Sequence, residues 1–381
     1  MKKYKNQNAI TLVALVVTII ILLILAGISI STLTNTGIFQ KTQDAKSASE
    51  NAEKEQSQIL DEFERELNKY TSAELTSANV NVVLSTTENV ELHDKNGNKI
   101  VVPAGFKVVV NDDTNNVMTI EKGIVVEDGR GNQYVWIPCT TEDSKTQLQY
   151  KRTEWYVEDD TYNNIRSSKD ELTLTCSRDY NNNGLTYEIV NEIVTQVKSE
   201  KESISKYGGY YIGRYEVGDE DGTAVIKYDK MPKTDVKWIE AYDLAKNIGS
   251  DKCATTYLCS SYAWDTAINF IQNNGFPNYA KAREDDYNEN WYDKMVIWNG
   301  GSKPSGTSQK LETGKTTAKC NIFDMGGNVV EYTTEVIPNL NKSIVQRGGG
   351  YHYSIPAGNR IGGDTAHSSM YDGFRATLFL K

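Results

Sequence analysis

Histidine and cysteine are scarce in this chain, at three and five of 381 residues. No Cys-x-x-Cys pair and no histidine-rich segment occurs, which argues against a zinc centre built from thiolates and imidazoles. Positive charge is also in short supply. Lys and Arg number 41 against 51 Asp and Glu, and the net charge of −10 argues against nucleic acid or an anionic membrane surface as partner. The cysteines are odd in number, so at least one is unpaired within a monomer. Cys253 and Cys259 are close enough in sequence to bridge, the other reading being that the cysteines are small buried apolar side chains.

Charge is missing altogether between Lys5 and Lys41, and positions 9–30 form an apolar run. About twenty apolar residues at about 1.5 Å each cross a hydrocarbon core of about 30 Å, whereas a secretory apolar region is about 7 to 15 residues long. The expectation is a membrane span over residues 10–33, with Lys2, Lys3 and Lys5 holding its N-terminus inside and the rest of the chain outside the cell. Residues 34–75 then read as a helical stalk. Proline is absent from Gln40 to Tyr70, strong helix formers dominate, and Ile59, Phe63, Leu67 and Tyr70 make one apolar stripe. That stripe is either a docking face for the head or a self-associating coiled coil.

The stretch Asn8-Ala9-Ile10-Thr11-Leu12-Val13 resembles the leader of type IV prepilins, which implies cleavage between Ala9 and Ile10 and a leader over residues 1–9. Ala9 stands where that family has Gly, and Ala14 where it has the Glu that pairs with a neighbouring subunit. Pilin subunits are therefore implied partners, with the missing Glu as the objection to filament assembly.

Past the stalk, residues 76–138 read as a β-hairpin entry region. Val90–Leu92 and Ile100–Val102 flank an Asn-Gly turn, and Val125–Ile137 repeats the pattern around Asp128-Gly129. Residues 139–206 read as a polar insertion carrying a helix near Glu188–Lys201, and Asp179–Gly184 within it reads as an Asn-rich turn because Val190 stands where a calcium loop needs Glu. From Tyr207 onward the pattern predicts a strand over Tyr207–Val217 and helices over Asp235–Ile248 and Ser261–Asn273, the last capped by Ser260 or Ser261. Strands follow at Asn321–Thr334, Ile344–Gly348 and Phe374–Leu380, giving an α+β domain. Twenty-three tyrosines against eight phenylalanines point to a tyrosine-rich binding surface.

Four short motifs stand in order: Tyr210-Tyr211-Ile212-Gly213-Arg214-Tyr215-Glu216-Val217, Phe323-Asp324-Met325-Gly326-Gly327-Asn328-Val329-Val330-Glu331, Arg347-Gly348-Gly349-Gly350 and Gly373-Phe374-Arg375. In this order they resemble formylglycine-generating enzyme (sulfatase-modifying factor) domains, which implies a C-type-lectin-like fold over residues 207–381. The family's oxidase binds copper through two cysteines after its Arg-Gly-Gly-Ser motif, but Tyr353 and Gly358 stand there and no cysteine follows Cys320. No catalytic residue is therefore expected. The resemblance allows a structural calcium near Asn328 and Glu331, and otherwise no cofactor; both residues serve equally well as caps of turns.

Residues 350–372 lie between the last two motifs and read like a paratope, because Tyr and His give flat contact area while Ser, Asn, Thr and Asp give adaptable hydrogen bonds. The candidate ligand-binding residues are Tyr351, His352, Tyr353, Ser354, Asn359, Asp364, Thr365, His367, Ser368, Ser369, Tyr371 and Asp372. Such a segment ending in Gly-Phe-Arg resembles variable proteins of diversity-generating retroelements; the other reading is a polar loop joining two strands. The sequence thus describes a membrane-anchored, pilin-like cell-surface protein whose non-catalytic head binds a protein or glycan outside the cell, as adhesin or receptor. The rivals are a minor pilin or pseudopilin with a structural head, and a metal-dependent oxidase of the formylglycine-generating type.

Overall fold

The computed structural model describes residues 46–60, 73–110, 119–155, 170–174, 185–249, 253–281, 297–298, 301–302, 310–337, 344–351 and 356–381. The leader at Ala9 and Ile10, the expected span 10–33, Cys176, the Asp179–Gly184 turn and residues His352, Tyr353 and Ser354 lie outside the described residues. Among the described residues no helix is long and apolar enough to cross a membrane.

Two compact units divide the chain, Met1–Tyr70 and Thr71–Lys381. In the first, residues 46–60 are helical and Ile59 and Leu60 are exposed. The second is a mixed α+β unit. Its strands are β1 (Val90–His93), β2 (Lys99–Val102), β3 (Lys107–Val109), β4 (Val125–Glu127), β5 (Gln133–Pro138), β6 (Gly209–Gly213), β7 (Gly218–Glu220), β8 (Thr223–Val225) and β9 (Met231–Pro232). They continue as β10 (Ala254–Leu258), β11 (Ile297–Trp298), β12 (Gly301–Ser302), β13 (Val330–Val336), β14 (Ile344–Arg347), β15 (Arg360–Gly363), β16 (Asp372–Phe374) and β17 (Ala376–Leu380). Its longer helices are α1 (Tyr187–Tyr207), α2 (Trp238–Asn247) and α3 (Ser261–Asn273).

The largest sheet is antiparallel throughout and runs β10-β17-β6-β5-β4-β3. It joins the hairpin region to the far end of the chain, so the two are one sheet. The expected hairpins are present, with Val90 opposite Val102 and Val125 opposite Val135. Trp136, Tyr211, Ile212 and Leu378 are buried on it, because alternate strand residues face its covered sides.

Helix α1 is longer than its sequence pattern indicates. Thr186 caps its start by accepting from Ile189 N, and Gly208 ends it in the left-handed region, which costs glycine nothing. Leu185, Val190, Ile193 and Val197 are buried, so the segment that reads as a polar insertion supplies core. Helix α3 matches its expected bounds, with the Ser260 hydroxyl accepting from Ala263 N and Trp264, Ala267, Ile268 and Ile271 buried. Helix α2 begins three residues later than expected because Asp235 adopts a positive φ of 59° and its N–H bonds Ser369 O instead.

Cys139, Cys259 and Cys320 are buried thiols, and the bridge that spacing allowed between Cys253 and Cys259 does not form. The two flank opposite ends of β10, and six strand steps put them about 20 Å apart, far beyond the roughly 7 Å limit for a disulfide. The tyrosine excess is also spent differently from the expectation. Tyr134, Tyr150, Tyr210, Tyr211, Tyr215 and Tyr242 are all buried. Tyr150 donates to Glu200 at 2.6 Å and Tyr211 to Val101 O at 2.8 Å, whereas the Tyr134 hydroxyl has no hydrogen-bond partner among the described residues.

Candidate functional site

The four sequence motifs meet in the interior as a polar frame. Arg375, fully buried, bonds Glu331 through Nη2 at 2.6 Å and through Nε at 3.1 Å, and donates further to Gly213 O and Phe323 O. Glu216 accepts from Asn328 Nδ2 at 2.7 Å and from Val329 N at 3.0 Å. Burial, and then the charges of Asp324 and Glu331, hold the Glu216 carboxyl well above the ordinary range. Asn328 also accepts from Leu311 N at 2.9 Å. Asn328 and Glu331 therefore bond protein partners, and with Glu331 neutralised by an arginine the pair does not fit a calcium ion. Among the described residues no group of His, Cys, Asp and Glu is placed to hold a metal.

A second buried cluster lies at the start of α3. Arg347 bonds Asp265 and Asn359 O, and Glu335 faces Arg152, Arg360 and Ser261. Glu171 accepts from Ser261 N at 2.9 Å, and burial followed by the Glu335 charge pushes its carboxyl up to about 8. Between these clusters the backbone turns at Gly348, whose φ is +74° and where a Cβ would stand 2.5 Å from Met325 O. Only glycine fits there.

On this frame sits a sheet in the order β15-β14-β13-β16, in which β13 and β16 are parallel and the other neighbours antiparallel. Residues 364–371 join β15 to β16 and cross the face on which Tyr332 and Gln346 stand as cross-strand partners. The Tyr332 hydroxyl reaches His367 O at 3.4 Å and Asp372 Oδ2 at 3.5 Å, while Gln346 packs on Gly363 and bonds Asp372. Burial raises the Asp372 carboxyl, an effect its bonds to Gln346 and Tyr332 oppose. Asp364 folds the loop's first turn by accepting from Ala366 N at 2.8 Å, and Ser369 Oγ accepts from Tyr371 N at 3.1 Å.

The expected site residues separate into three groups. Tyr351, Asn359 and Thr365 are buried: the Tyr351 ring lies 5.6 Å from that of Tyr371, and Asn359 O receives Arg347. His367 and Ser368 are exposed, with Asp364, Ser369, Tyr371 and Asp372 half-buried beside them. His352, Tyr353 and Ser354 lie outside the described residues. Several neighbours carry no signal in the sequence pattern. Met370 is 51% exposed, Asp235 donates to Ser369 O at 3.0 Å, and Lys310 bonds Thr234 next to Asp235. Burial lowers the Lys310 ammonium, and burial with neighbouring Tyr371 and Asp235 raises Tyr351 to about 12. A patch of a cation, carboxylates, aromatic rings and hydroxyls can hydrogen-bond and stack.

No family model matches this chain, and no curated protein does. Solved structures similar to it include one described as the crystal structure of CarF, 14% identical, covering 45% of this chain and 87% of that one at a TM-score of 0.32. Another is Treponema denticola variable protein 1, 12% identical, covering 74% of this chain and 95% of that one at a TM-score of 0.22. These are weak fold-level similarities, and at such TM-scores neither carries an argument about function.

Proposed function

We propose that this chain is a membrane-anchored, pilin-like surface protein whose α+β head binds a protein or glycan through residues 364–372, without catalysis. The observation that carries the reading is the contrast at that loop: Ala366, His367, Ser368 and Met370 project to solvent from a segment whose ends and floor are fixed by buried groups. A rigid support with exposed adaptable side chains loses little freedom when a ligand arrives. The non-catalytic part draws on the thiols. Burial holds Cys139 and Cys259 well above the ordinary range and Cys320 at about 12, so these three stay protonated and are poor nucleophiles or copper ligands. Residues 10–33 supply the anchor, Ala9 and Ile10 the processing site, and codon variation over residues 350–372 the diversity of the head.

The test uses the full chain in detergent, labelled and read on a glycan array and on an array of bacterial surface proteins. The combined variant His367→Ala, Ser368→Ala, Met370→Ala is expected to lose at least one feature that the parent binds. Identical patterns for the two would overturn the assignment. Sequencing the gene from sister isolates checks the diversity: adenine-limited variation confined to residues 350–372 is expected, and an invariant window would remove that part of the reading.

A further inference from the structure

A groove of about 370 Å³ runs between the last two turns of α1 and the edge of the largest sheet. Ser199, Glu202, Ser203, Lys206 and Tyr207 line one wall, at the spacing that puts side chains on a single helix face. Thr255 and Tyr257 of β10 and Phe379 of β17 line the other, with Thr255 and Phe379 in register. Because β10 ends the sheet and α1 packs on β6 and β17, Thr255 and Tyr257 stay half-buried and their face stays open. None of these residues belongs to the loop at 364–372.

Three observations define what the groove accepts. Tyr257 and Phe379 stand 6.1 Å apart and give an aromatic wall. Ser203 is 6% exposed, and its hydroxyl finds no partner among the described residues, a loss that a bound hydroxyl would make good. Glu202 and Lys206, one helical turn apart at the mouth, offer an acceptor and a donor side by side. Lys206 is steadied over the Tyr207 ring at 4.6 Å.

We propose that this groove is a second binding site, which takes one neutral pyranose ring. A sugar ring carries an apolar C–H face that stacks on an aromatic wall. Its hydroxyls both donate and accept, so one ring answers Ser203, Glu202 and Lys206 together. A purely aromatic ligand would stack and leave those three unanswered. The volume lies near the lower end of the range of about 300–1,000 Å³ usual for small-molecule sites, which suits one ring or two.

The experiment is saturation-transfer NMR on the full chain in a detergent without a sugar headgroup. The probes are methyl α-glucoside, methyl α-mannoside, methyl α-galactoside and N-acetylglucosamine, each at about 10 mM, the scale on which single-ring binding is seen. Transfer to ring C–H protons of at least one sugar is expected, with at least about a tenfold loss in Tyr257→Ala. Ser203→Ala removes an unpaired buried hydroxyl, so it folds at least as well as the parent and is expected to weaken the same sugar about threefold or more. The loop variant with His367, Ser368 and Met370 replaced should bind the sugar unchanged, which separates this site from the first. No transfer to any sugar, transfer that survives both groove variants, or transfer to benzyl alcohol alone would overturn the proposal.

Discussion

The frame around Arg375 and the loop at residues 364–371 draw on the same kinds of residue and use them differently. In the frame the polar groups meet one another: Glu331 bonds Arg375, and Glu216 bonds Asn328. In the loop, the side chains of Asp364 and Ser369 accept from the backbone beside them, and His367, Ser368 and Met370 face water. Composition is therefore a poor guide to role in this chain. A tyrosine or an aspartate is structural or presented according to whether the sheet beneath it leaves room for a partner.

That contrast fixes an order of mutational effects. Arg375→Met strands the buried Glu331 carboxylate and should cost about 3–5 kcal/mol in denaturant unfolding; a loss under about 1 kcal/mol would mean the frame is not what holds the head together. Tyr351→Ala empties a site that is only 4% exposed and should cost about 3 kcal/mol, which would class Tyr351 with the frame; a neutral result would return it to the binding surface.

Glu171→Gln sharpens the comparison through pH. The folded carboxyl lies at about 8, against an ordinary value of 4.5. Across that window the native state keeps a proton that the unfolded chain has lost, so stability falls as pH rises and levels off above it. The glutamine variant keeps the neutral form throughout. Its loss of melting temperature between pH 5 and pH 8 should be smaller than the parent's, by an amount equivalent to about 1 kcal/mol or more; equal slopes would show Glu171 ionised in the fold. Least of all, the triple loop variant should change unfolding free energy by under about 0.5 kcal/mol while removing at least one array feature, and a large destabilisation would make the loop part of the frame.

Much of the frame's local structure can be read in the chain. A serine cap for α3, its inward face and both tight hairpins follow from spacing and turn residues, and the structure picks Ser260 over Ser261 as the cap. The four motifs fall in one α+β unit, yet their own pattern does not reveal that Glu331 is reserved for Arg375, forty-four residues on. Pairing of that kind depends on register between distant strands. The same holds at the site. Thr234, Asp235 and Lys310 reach the loop only because α2 starts late and Asp235 turns toward Ser369, and no periodicity announces a residue held at positive φ. Tyr351, Asn359 and Thr365 carry the composition of a paratope but sit under it, since β14 and β15 bring buried partners to that stretch.

Strands β15 and β16 point the same way, with Gly363 at the end of the sheet where β13 finishes and Asp372 where β13 starts. The register of β13 against β14 slips between Tyr332 and Val336, so β14 covers that distance in four steps, and with three strand spacings the diagonal is about 20 Å. The nine steps from Gly363 to Asp372 could stretch to about 30 Å. The surplus is taken up in two turns, where Ala366 N bonds the Asp364 carboxylate and Asp372 N bonds Ser369 O. The path of the connection therefore belongs to its turns, and the outward side chains at His367 and Ser368 can differ without redirecting it. A segment so arranged can vary in spelling while its grammar stays constant.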